Sequence, residues 1–115
     1  MFFEEESVIL EEIATKYFKF WNDRDLPGLR SLLANKAVLK DWEVDVSGVD
    51  NVVSTNEKIF DVFPSIEAKI KRLGYGNNVI FAEIKVVLNS EEYINVVDVI
   101  SVQDGLITAI HAFKN

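Results

Sequence analysis

Cysteine is absent from the 115-residue sequence, which excludes disulfides, thiolate metal sites and cysteine nucleophiles. Histidine occurs once, and the two prolines, Pro27 and Pro64, fall where the hydropathy pattern changes rather than in a linker. Positive charge is also scarce, 12 basic against 19 acidic side chains for a net charge of −7. Phosphate backbones and anionic bilayers both demand clustered Lys and Arg, so neither nucleic acid nor a membrane is an expected partner. No apolar run approaches the roughly 18 residues of a membrane span, and Met1 to Glu6 lacks the positive flank and apolar stretch of a secretory leader. Gly-rich phosphate loops, metal-ligand spacings and nucleophile elbows are missing as well, so no metal site is expected. On these grounds a cytoplasmic chain with one domain over residues 1–115 is expected.

What the chain does have is apolar bulk. Hydrophobic residues make up 49% of it, with eight Phe, three Tyr and two Trp to fill a core without staples. From about Ser7 to Asp23, Ile9, Ile13, Tyr17, Phe20 and Trp21 recur at helical spacing, widened by Leu10, Ala14 and Phe18. Asp25 is placed to cap a second, short helix with Pro27 in its first turn and Leu29, Leu32 and Leu33 as its apolar side. Ala37 to Trp42 and Glu43 to Ser47 alternate as short strands. A third helix opens at Gly48, with Val52, Ile59, Phe60 and Phe63 on one face until Pro64. Four strands follow, Ile66 to Leu73, Val79 to Leu88, Tyr93 to Val102 and Leu106 to Phe113. Short turns between them imply antiparallel neighbours. The late strands are apolar on both faces, so the sheet face away from the helices is expected to meet a second copy of the chain; a sheet curled onto itself is the alternative.

Carboxylates in apolar settings carry the chemical interest. Strand alternation puts Asp98 on one face with Ile94, Val96, Ile100 and Val102, where burial would keep it protonated as a hydrogen-bond donor; a bulge or a polar neighbour would explain it equally. Asp41 shares a strand face with Ala37 and Leu39, a half-apolar setting for a general base or an ordinary strand-end Asp. Tyr17 lies on the buried helix stripe and on spacing alone reads as a core tyrosine. A two-residue Asp104-Gly105 loop would pair Asp98 with His111, and a three-residue loop would pair it with Ile110.

Three stretches, Lys16 to Asp25, Leu26 to Leu33 continued through Ala37 to Trp42, and Asn95 to Val102, resemble the nuclear transport factor 2-like superfamily, which includes ketosteroid isomerases and SnoaL-like polyketide cyclases. The resemblance spans essentially the whole chain and implies an α+β fold, a cone-shaped, curved antiparallel sheet with three helices. Residue by residue it implies catalytic roles for Tyr17, Asp41 and Asp98. Asp41 would remove a proton from carbon, and Tyr17 and protonated Asp98 would donate to the developing enolate oxygen, with no cofactor. Ketosteroid isomerases are themselves the known case of a carboxylic acid kept neutral to donate a hydrogen bond, so this mechanism comes with the family. Trp21, Trp42, Phe60, Phe63 and Phe81 are candidates for the aromatic wall of a pocket for a small apolar ligand, with His111 as a further ligand contact and plain core as the alternative for each. Trp42 stands where the isomerases carry proline, and Lys114 falls near an expected aromatic position. A non-catalytic ligand-binding or dimerisation module of the same fold is the competing function.

Overall fold

The computed structural model describes residues 4–115. Helix α1, Glu4–Asn22, forms around a buried stripe of Leu10, Ile13, Ala14, Tyr17 and Phe18. Ile9, placed on that stripe by its spacing, points to solvent instead. At the helix exit Arg24 takes a positive φ of 56° and donates to the carbonyls of Asn22, Pro64 and Ile66. The Asn22 side chain exchanges two hydrogen bonds with the Ala68 backbone, at 2.9 and 2.8 Å. Those bonds anchor the exit of α1 to the sheet. Helix α2, Leu26–Leu32, is capped as expected, the Asp25 carboxylate accepting from the Gly28 N–H at 2.9 Å. Helix α3, Val49–Val62, begins at Gly48, whose φ of 94° only glycine adopts readily.

Six strands form one curved mixed sheet: β1 Leu33–Lys40, β2 Asp45–Ser47, β3 Glu67–Gly76, β4 Val79–Val87, β5 Tyr93–Gln103 and β6 Leu106–Lys114, in the order β2-β1-β6-β5-β4-β3. Pairs joined by short turns are antiparallel, whereas β1 and β6, distant in sequence, pair parallel. With the three helices on one face, this is the expected α+β cone. Pleating sends Ile80, Ala82, Ile84 and Val86 of β4, and Val96, Asp98, Ile100 and Val102 of β5, into the buried inner face.

The last hairpin shows how one residue decides a face. Asp104 and Gly105 form a two-residue loop with φ of 52° and 80°, pairing Gln103 with Leu106. Plain counting from that loop would set Asp98 opposite His111. A bulge at Thr108 inserts one extra residue, so Asp98 pairs with Ala112 and Val99 with His111. Neither register expected for Asp98 is adopted, and His111 stands on the outer face. No helix among the described residues is long and apolar enough to cross a membrane.

Candidate functional site

A cavity of about 390 Å³ opens between α1, α3 and the inner face of the sheet. Its walls are mainly apolar, with Phe18, Leu39, Ile59, Phe63, Ile84, Val86 and Val96 among them. Polar groups enter at few points: Tyr17 from α1, Asn56 from α3, Asp98 from β5, and Asp41, Glu43 and Lys114 at the rim.

Asp98 is the central feature. It is 7% exposed, and burial, with the charge of Asp41 adding to it, pushes its carboxyl up to about 7. Below that pH the neutral acid, a hydrogen-bond donor, dominates. Tyr17 is buried beside it; desolvation first, and then the charge of Asp98, push its hydroxyl far above the usual tyrosine range. Tyr17 therefore keeps its proton at neutral pH, Asp98 holds one up to about pH 7, and both border the same apolar space.

Asp41 lines the same cavity, although the strand ends before it. Strand β1 ends at Lys40, and Asp41 instead opens a tight turn, its N–H donating to the Val44 carbonyl at 2.8 Å. One carboxylate oxygen, Oδ1, accepts from the N–H groups of Glu43 and Val44, each at 2.7 Å. This turn fixes the Asp41 side chain on the rim of the cavity that Leu39 also lines. Trp42, in the same turn, is 41% exposed and lies under the Lys114 ammonium, 5.1 Å from the ring centroid. It borders the cavity without filling it.

Of the six residues expected to contact ligand, Trp21, Trp42 and Phe63 line the cavity, and Phe60, Phe81 and His111 do not. Phe60 is core, its ring edge-on to Trp21 at 5.1 Å with Arg24 above it. Phe81 is an odd-numbered residue of β4 and so points outward with Val79 and Glu83, while the bulge at Thr108 turns His111 outward to stack on Phe113 at 4.1 Å. Phe18 and Asn56 line the cavity without having been expected there, and Lys114 lines it near the position where the resemblance implied an aromatic residue. The spacing of α3 contains a signal for Asn56: it lies four residues after Val52 and four before Phe60, a polar side chain on an apolar helix face. Among the described residues no cluster of three His, Cys, Asp or Glu side chains could hold a metal ion.

The sequence model of the SnoaL-like domain matches residues 14–110. No curated protein matches the chain in sequence. Solved structures share the fold: a candidate ketosteroid isomerase from Kribbella flavida superposes with a TM-score of 0.81 at 20% identity, covering 90% of this chain and 76% of that one. A candidate isomerase of the SnoaL-like family from Agrobacterium tumefaciens gives 0.81 at 17% identity over 94% and 98% of the two chains. A nuclear transport factor 2-like protein of unknown function from Cytophaga hutchinsonii gives 0.81 at 12% identity over 91% and 88%.

Proposed function

The chain belongs to the SnoaL-like domain family of the nuclear transport factor 2-like superfamily, and on that premise we propose that it is an isomerase- or cyclase-type enzyme moving a proton next to the carbonyl of a small apolar compound. One observation carries the reading: a proton-bearing Tyr17 hydroxyl and an Asp98 carboxyl raised to about 7 border one apolar cavity whose rim holds the Asp41 carboxylate. Asp41 takes the proton from the carbon beside the carbonyl and returns it at another carbon. As the enolate forms, Tyr17 and neutral Asp98 donate hydrogen bonds to its oxygen, in a pocket dry enough for them to count heavily. The steps as written need no cofactor, and the bonds from Glu43 and Val44 hold the base in one orientation.

The same two bonds favour a second reading. An Asp41 whose Oδ1 is spent on its own turn suits a hydrophobic-ligand-binding module without turnover. A β,γ-unsaturated ketone separates the two. Isomerisation to the conjugated ketone, abolished in Asp41→Asn, supports the enzyme; binding without turnover, unchanged in that variant, supports the module. We also propose a homodimer through the outer sheet face, where Phe81, Val97, Val99 and Phe113 form an apolar surface. A monomer mass in concentrated solution contradicts it.

A further inference from the structure

One buried polar side chain in the cavity wall takes no part in that chemistry. Asn56 sits in the middle of α3 and is 5% exposed. Its Oδ1 accepts from the Trp21 indole N–H at 3.0 Å, and its Nδ2 donates to the Val52 carbonyl at 3.0 Å. The two partners fix which way the amide points, because an indole N–H can only donate and a carbonyl can only accept. Two N–H bonds are available on Nδ2, and Val52 uses one. The other has no acceptor among the described residues, on a side chain that lines the cavity. Holding α1 against α3 accounts for the oxygen and one N–H; it leaves the second N–H unexplained, and buried donors are rarely left unpaired.

We propose that Asn56 is a ligand anchor and that the compound taken by this cavity carries two oxygens, the carbonyl that meets Tyr17 and Asp98 and a second, accepting oxygen that meets the Asn56 amide. This rests on the reading of the cavity given above and narrows its substrate class from apolar ketones to keto compounds bearing a further keto, ether or ester oxygen. Trp21, bonded to Oδ1, is a positioning residue that holds the amide in place.

Two isosteric probes test it on the full chain. In 6-acetyl-2-naphthol and 6-isopropenyl-2-naphthol the hydroxyl stands in for the enolate oxygen at Tyr17 and Asp98, and only the acetyl compound offers a second acceptor. Dissociation constants from naphthol fluorescence should favour the acetyl compound by about tenfold, the effect of one hydrogen bond to an otherwise unpaired buried donor. Asn56→Leu should abolish that preference, and Tyr17→Phe should weaken both compounds alike. Wild-type protein binding the isopropenyl compound equally or more tightly overturns the role of Asn56 alone, a comparison that needs no variant to fold. Binding of neither naphthol overturns the role of Asn56 together with the reading of the cavity.

Discussion

On β5, Asp98 faces the cavity and is 7% exposed, whereas Val97, one residue before it, faces outward and is 37% exposed. The same division runs through β4, where Ala82 is buried beneath the helices and Phe81 stands in solvent. The inner face thus carries aliphatic side chains and one carboxyl. The outer face carries aromatic and branched residues, Phe81, Val99 and His111 aligned across three strands and Val97 paired with Phe113. Hydrophobicity alone does not separate the two faces, because large apolar side chains stand on both, those of the outer face interspersed with Glu83, Lys85 and Asn95. What separates them is the cover: helices enclose the inner face and leave a cavity, in which a single acid becomes hard to ionise. The outer face lacks such cover among the described residues and suits a flat partner.

Substitutions on the two faces should therefore differ in kind. The largest effect is expected for Asp41→Asn, about 10²- to 10⁴-fold in kcat for a β,γ-unsaturated ketone, the usual range for loss of a general base. Next comes Tyr17→Phe, about 10²-fold, as for loss of one donor to an enolate oxygen. Asp98→Asn keeps a donor and should cost less. In wild-type protein kcat/KM should fall above about pH 7 as Asp98 ionises; Asp98→Asn, which does not ionise, should lose that limb of the pH profile.

Stability should respond to the same acid. Because its folded pKa is raised, Asp98 contributes stability that is complete below its unfolded pKa and is lost as pH rises through about 7. Relative to Asp98→Asn, wild-type protein should lose roughly 3 kcal/mol between pH 4 and pH 8, measured by urea unfolding of both. On the outer face, Phe81→Glu should shift a dimer toward monomer in sedimentation, by about 2 kcal/mol with one buried charge from each copy. The smallest effect is expected for His111→Ala, whose side chain is outside the cavity: within about 0.5 kcal/mol in the affinity of a cavity ligand. A large loss there would dissolve the distinction between the faces.

The element order and the two-faced sheet were legible because periodicity reports them directly. The stripe of α1 and the alternation of β4 and β5 place Tyr17 and Asp98 correctly without any tertiary knowledge. Two local irregularities hid the rest. The bulge at Thr108 reverses the face of every residue beyond it relative to simple counting, which would turn His111 inward. The turn at Asp41 replaces strand by side-chain-to-backbone bonds, which alternation does not register. Phe60 and Phe81 illustrate a different limit: an aromatic residue in an apolar stretch can be wall, core or outer surface, and only packing assigns it. The parallel pairing of β1 with β6 joins distant segments and leaves no local mark.

Whether the inner face holds a neutral acid is tested most directly by the side-chain carboxyl carbon of Asp98, followed by ¹³C NMR from pH 3 to pH 9 and assigned by its loss in Asp98→Asn. A midpoint near 7 is expected. A midpoint close to 4, the value of a solvated aspartate, would contradict it.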